Sequence, residues 1–120
     1  MARILIVEDD SNIRKLLSAN LIARGYEVIE AANGRQGLTF LQEASPAMLL
    51  LDIKLPDMSG WELLRMITSD SAYPQIPVIV ITASLGSASI DHSLFKNLRK
   101  VLTKPISVED LTHAVREALI

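Results

Sequence analysis

Five short runs rich in Ile, Leu and Val recur along the chain, and stretches of helical periodicity separate them. The first run predicts a strand over Arg3–Val7. A helix follows from the Ser11 region, with Ile13, Leu16, Leu17 and Leu21 on one face and Gly25 in the C-terminal cap position. A second strand is expected over Tyr26–Glu30. A second helix starts near Asn33, carrying Leu38 and Leu41, with Gln36 three residues past the cap. Met48–Leu51 is the third strand. Leu55-Pro56-Asp57-Met58 has loop chemistry, since Pro fixes φ and Asp favours a turn. Ser59 with Glu62 then makes a capping box for a third helix through Leu63, Leu64 and Ile67. Val78–Ile81 is apolar on both faces and so reads as a central strand. A fourth helix is expected within Ser84–Lys100, a fifth strand at Val101-Leu102, and a last helix capped by Ser107 with Leu111, Ala114, Val115 and Ala118 inward. This alternation predicts one α/β domain: a parallel sheet with helices on both faces.

Composition narrows the functional classes. A chain of 120 residues is long enough for one real core and too short for a second. The formal charge of −2 gives no electrostatic support for direct nucleic-acid binding. With no cysteine there is neither a disulfide framework nor thiol chemistry. The apolar runs are strand-length, far short of a membrane span, and the first strand begins too early to leave room for a signal peptide. A cytoplasmic domain is the expectation, with no membrane contact.

Polar residues stand just past four of the apolar runs: Asp9-Asp10, Asp52, Thr82 and Lys104-Pro105. In an open parallel sheet, ligands bind beyond the carboxyl ends of the strands, so these residues are expected to converge. Taken singly, Asp9 and Asp10 read as a helix cap, Thr82 as a strand-end cap and Lys104 as a surface lysine. Taken jointly, three close carboxylates repel unless a cation joins them. All-oxygen ligation suits Mg²⁺, with Mn²⁺ also acceptable. A carboxylate such as Asp52 can also attack phosphorus, a reaction that needs positioned counter-charge more than acid–base help. Lys104 can supply charge and Thr82 a hydrogen bond.

The segments Val7-Glu8-Asp9-Asp10, Leu51-Asp52-Ile53-Lys54-Leu55-Pro56-Asp57-Met58-Ser59-Gly60, Ile81-Thr82-Ala83 and Lys104-Pro105 stand in the order found in receiver domains of two-component response regulators. The chain resembles that family, the bacterial chemotaxis regulator included, over essentially its whole length. The resemblance implies a flavodoxin-like fold, a five-stranded sheet in order 2-1-3-4-5 flanked by five helices. It implies Asp52 as phosphoacceptor, loaded by a histidine kinase or histidine phosphotransfer protein. It also implies that Asp10 and Asp52 bind Mg²⁺ directly, Asp9 through water and Lys54 through its backbone carbonyl. Thr82, Lys104 and the Ala83 N–H would hold phosphoryl oxygens, and the Lys104–Pro105 bond would be cis. Such a domain catalyses only its own loading and unloading. It signals to a downstream protein or a linked output domain through the face of the fourth helix, fifth strand and fifth helix.

Departures and competing readings sharpen the picture. Relatives usually carry Tyr or Phe three residues before the lysine, where Val101 stands here, and Gly-Ala where Asn97-Leu98 stands. A small β-branched side chain has no comparable swing. Lys54 and Ser84 occupy positions that tune aspartyl-phosphate lifetime in relatives. Lys96, Arg99 and Lys100 form a basic cluster, read as a solvated helix end or as a selector of an acidic partner. His92 and His113 are isolated and read as surface residues; Trp61 reads as packing its helix on the sheet or lying half exposed. A haloacid-dehalogenase-type phosphohydrolase would need an Asp-x-Asp after the first strand, and a flavodoxin would need a phosphate cradle where Asp9-Asp10 repels one. A receiver acting as an interaction module without phosphorylation stays open as the alternative.

Overall fold

A computed structural model describes residues 2–83 and 95–120. The elements in chain order are β1 (Arg3–Val7), α1 (Ser11–Ala23), β2 (Glu27–Ala31), α2 (Gly34–Glu43), β3 (Met48–Asp52), α3 (Gly60–Ser69), β4 (Val78–Thr82), β5 (Leu98–Thr103) and α4 (Val108–Ala118). The strands form one parallel sheet in the order β2-β1-β3-β4-β5. Four helices fall among the described residues. The helix expected within 84–94, with Ser84 and His92, lies outside them.

Strand alternation divides the core into two layers. Leu5, Val7, Leu49, Leu51, Val78 and Val80 face Leu41 of α2 and Trp61, Leu63, Leu64 and Ile67 of α3. Ile4, Ile6, Met48, Leu50, Ile79 and Ile81 face Leu17 and Leu21 of α1 and Leu111, Ala114 and Val115 of α4. β3 and β4 are buried at every position, as expected for central strands covered on both faces. Each fully buried Leu or Ile contributes roughly 1.5–3 kcal/mol. Trp61 is buried and stacks on Phe95, with ring centroids 6.0 Å apart. His113 is exposed on α4, paired with Glu117. Among the described residues no helix is long and apolar enough to cross a membrane.

Local chemistry sets the element ends. Gly25, at φ +91°, lets α1 stop in a Schellman motif: its N–H donates to the Ile22 carbonyl and that of Tyr26 to the Leu21 carbonyl. Because the Tyr26 amide is used in that cap, β2 starts at Glu27 rather than Tyr26 and runs on to Ala31. β5 starts at Leu98, so the segment ending at Lys100 is not helical at its end, and Arg99 and Lys100 belong to a strand. A register shift opposite Val78/Ile79 interrupts the alternation at Arg99. The result is an edge strand bearing exposed cations, which discourage edge-to-edge pairing. Lys96 lies in the turn before it, its carbonyl accepting from Arg99 Nη1 at 2.7 Å.

Ser59 caps α3 by accepting from the Trp61 N–H. The chain reverses so tightly there that the Gly60 N–H donates to the Ile53 carbonyl at 2.7 Å. A Cβ on Gly60 would lie 2.8 Å from the Ile53 Cα and collide with the Asp52 carbonyl, both backbone atoms that cannot rotate away. Gly60→Ala is therefore expected to lower stability by about 1–3 kcal/mol. Urea unfolding measures this, and an unchanged midpoint contradicts the close approach.

Candidate functional site

The carboxyl ends of β1, β3, β4 and β5 open into a cleft of about 410 Å³ whose polar lining includes Glu8, Asp9, Asp52, Lys54, Thr82 and Lys104. Asp52 and Thr82 are the last residues of β3 and β4, and both are buried. Lys104 follows β5, and its N–H donates to the Thr82 carbonyl at 2.8 Å, tying the two strand ends together. The Lys104–Pro105 bond is cis, as the resemblance implies. Ala83 lies exposed at the rim of the same cleft.

A single ammonium organises the carboxylates. Lys104 Nζ lies 2.8 Å from Glu8 Oε1 and 3.2 Å from Asp52 Oδ2. Glu8 is wholly inaccessible to solvent; its other oxygen accepts the Asp10 N–H at 3.1 Å. Burial is the main influence raising the Glu8 pKa above its usual carboxylate value, and neighbouring Asp52 adds to it, while Lys104 and the Asp10 N–H oppose. Burial also opposes the charge on Lys104, yet Glu8 and Asp52 together outweigh it and hold the ammonium above its ordinary pKa.

The acidic cluster is shifted by one residue from the expected one. Carboxylate oxygens of Glu8, Asp9 and Asp52 can all lie within 4.8 Å of one another, a spacing compatible with a shared cation. Asp10 is not in that group. Its carboxylate caps α1, accepting from the Asn12 N–H at 2.9 Å and the Ile13 N–H at 3.2 Å. Asp10 lines the cleft, but the structure does not bring it into the cluster as expected: its Oδ1 is committed to α1 amides that otherwise lack partners. Glu8 takes its place in the cluster because the ladder runs one residue beyond β1, through the Glu8 N–H to the Ala31 carbonyl at 3.0 Å. Burial then continues without a break from Ile4 to Glu8, a consequence of the fold that the local sequence does not signal.

Arg14 is a part of the site with no clear sequence signal. Arg14 donates from Nη1 to the Glu8 carbonyl at 2.7 Å and from Nε to Glu30 at 3.1 Å, holding the backbone beneath the acidic pair. The Lys54 N–H approaches Asp52 Oδ1 at 3.4 Å, which places the Lys54 backbone at the mouth of the cleft. The basic cluster spans two grooves, with Arg99 lining both. Lys96 and Arg99 line one groove with Arg65, whereas Lys100 lines another beside Asp110 and Glu117.

A doubly wound sheet with acid, hydroxyl and ammonium groups at its strand ends places the molecule among the chemotaxis-regulator-like signalling domains. The model of the response regulator receiver domain matches residues 4–116, and the chain belongs to that family. It is 33% identical over 119 residues to the protein PilH of Pseudomonas aeruginosa, covering 99% of this chain and 98% of PilH. It is 35% identical to the DNA-binding regulator RpaA of a Synechocystis species, covering 99% of this chain. The chain spans only about half the length of RpaA, 49%. The response regulator TrrA of Thermotoga maritima, solved in complex with Mg²⁺ and BeF, superposes with a TM-score of 0.88 at 30% identity, covering 99% of this chain and all of that one.

Removing the ammonium strands two carboxylates. Lys104→Met is expected to cost about 3 kcal/mol at pH 8, in the range for breaking a buried ion pair. The sign of its pH dependence follows from Glu8, whose folded pKa is raised. Its contribution favours folding below the unfolded value and is lost as pH rises through the folded one. The deficit of the variant is therefore expected to shrink as pH falls from 8 toward 4.5. Urea titrations across that range measure it, and a pH-independent deficit contradicts the assignment.

Proposed function

We propose that this receiver domain is a phosphoacceptor switch in which Asp52 takes a phosphoryl group from a phosphohistidine of a histidine kinase or histidine phosphotransfer protein. The observation that carries the reading is the charge balance of the cleft. Glu8, Asp9 and Asp52 gather in one cluster with Lys104 against Glu8 and Asp52, leaving an excess of two negative charges when all three are ionised, which one divalent cation offsets. The donor set is all oxygen, which suits Mg²⁺ or Mn²⁺. Asp9 and Asp52 would hold the ion with the Lys54 carbonyl, and Glu8 would stand behind them. When bound, the ion supplies charge neutralisation on the phosphoryl oxygens.

In the transfer, an Asp52 carboxylate oxygen bonds to phosphorus as the phosphorus–nitrogen bond of phosphohistidine breaks, and the imidazole departs with that electron pair. Lys104, 3.2 Å from Asp52, is within reach of the charge that arrives there. Thr82 and the Ala83 N–H supply donors from the end of β4. Water later attacks phosphorus, releasing inorganic phosphate and restoring the carboxylate. The phosphoryl group adds roughly −1.5 to −2 charges and three acceptor oxygens at the cleft. That change reaches a partner protein or linked output domain through the β5–α4 side. Val101 sits in β5 against the sheet core rather than offering a mobile aromatic ring there.

Incubation with Mg²⁺ and acetyl phosphate is expected to add the mass of one phosphoryl group, alkali-labile and absent in Asp52→Asn. Mg²⁺ alone is expected to raise the melting temperature, since the ion binds the assembled cluster. A chain that gains no mass and shows no thermal shift at millimolar Mg²⁺ is instead an interaction module that works without phosphorylation.

A further inference from the structure

The loop between β3 and α3 carries Lys54, and its position is fixed by more than its own ends. At its neck, Lys54 and Ser59 form an antiparallel bridge, and the Gly60 N–H closes onto the Ile53 carbonyl at 2.7 Å. At its tip, Asp57 reaches a different element. Asp57 Oδ1 accepts the Gly34 N–H at 2.8 Å and Oδ2 accepts the Arg35 N–H at 3.0 Å. These are the first two amides of α2, which have no partner within a helix. The third, that of Gln36, goes to the local cap Asn33 at 2.9 Å. The Gly34 N–H is the main influence holding the Asp57 carboxyl below its usual range, and that of Arg35 adds to it.

Packing reinforces the tether. Met58 lies so close over Gly34 that a Cβ there would come within 2.6 Å of its Sδ. On its inner side α2 presses on β1, where a Cβ on Gly37 would lie 2.8 Å from the Val7 side chain. Val7 is followed directly by Glu8 and Asp9. A continuous path of close contacts therefore joins the loop bearing Lys54, through α2, to the strand end bearing the acidic pair.

We infer that Asp57 is a positioning residue of the acidic site: by gripping the first two amides of α2, it sets the Lys54 backbone at its place relative to Glu8, Asp9 and Asp52. Asp57 touches neither the cluster nor the cleft and acts only through the loop. The inference deepens the phosphoacceptor reading and rests on it for the role of the Lys54 carbonyl in holding Mg²⁺. Asp57 thereby resembles an outer residue that orients a metal ligand without contacting the ion.

The test compares the whole chain with Asp57→Ala, Asp57→Asn and the control Asp70→Ala. Asp70 also accepts a backbone amide, that of Ala72 at 2.9 Å, but just past the far end of α3. Mg²⁺ titrations are followed by calorimetry and by the fluorescence of Trp61. Asp57→Ala is expected to raise the Mg²⁺ midpoint on the order of 10-fold. Asp57→Asn, which keeps an acceptor oxygen, is expected to recover part of that loss, and Asp70→Ala to leave the midpoint at the parent value. In metal-free protein, hydrogen exchange at the Lys54 and Gly60 amides is expected to quicken in Asp57→Ala alone. A midpoint unmoved in Asp57→Ala, or exchange no faster than in Asp70→Ala, overturns the inference while leaving Mg²⁺ binding intact. A parent chain that takes up no Mg²⁺ overturns the metal reading, and the exchange result then decides the tether by itself.

Discussion

One ammonium between two buried carboxylates is the constraint on which the arrangement depends. Glu8 and Asp52 end on neighbouring strands, β1 and β3, and point into the same cleft, where their charges repel in a region of low solvent access. An isolated buried carboxylate is costly, and two adjacent ones more so. Lys104 meets both at hydrogen-bonding distance. It can do so because β5 pairs with β4 and its backbone N–H is fixed to the Thr82 carbonyl just before the turn. The site is therefore organised by its own residues, and it still retains unbalanced negative charge beside Asp9.

The strand ends that frame the cleft are each pinned by a different device. Behind β1, Asp10 caps α1 while Arg14 binds the Glu8 carbonyl. Behind β3, Gly60 permits the chain to fold back onto Ile53, and Asp57 fastens the loop to α2. At β5, the link from Lys104 to Thr82 extends the sheet's own ladder by one bond. All three use backbone groups, and the first two add side chains. The cleft geometry is consequently a property of the sheet and its helix termini, with little left to side-chain rotamers.

Most of the architecture was legible because the chain obeys simple periodicities. The central strands β3 and β4 are continuous apolar runs, and the caps at Asn33, Ser59 and Ser107 carry the residue types that satisfy free helix amides. β5 was less legible. Its first half holds Arg99 and Lys100 at a sheet edge, and an irregular register breaks the period of two. The start of β2 was displaced by the cap that consumes the Tyr26 amide. At the site, Glu8-Asp9-Asp10 offers three acids in a row, and one residue decides between cluster and cap. The ladder bond from Glu8 to Ala31 settles that choice, and it is a tertiary contact with no signature in the local sequence. Arg14 and Asp57 were silent for the same reason: each acts on a backbone group brought near by the fold.

The three carboxylates are not equivalent, and their differences bear on which one suits attack on phosphorus. Glu8 is sealed from solvent, with one oxygen on Lys104 and the other on the Asp10 amide, so no phosphoryl donor can approach it. Asp9 is exposed and lies farther from the fixed counter-charge, since Lys104 pairs with Glu8 and Asp52. Asp52 is also buried, but among the described residues its Oδ1 faces only the Lys54 N–H, at 3.4 Å. It ends a fully buried strand on a short side chain, lines the cleft, and faces the ammonium at 3.2 Å. Its neighbours Thr82 and Lys104 line the same cleft from strand ends on one side of it, and Asp9 does so from the other. A nucleophile of this kind needs access on one face and fixed positive charge on another, because developing charge is best stabilised by groups already in place. Of the three, Asp52 alone combines a place in the cleft, a direct contact with Lys104 and a position beside Thr82 at the strand ends, which supports the proposed reading.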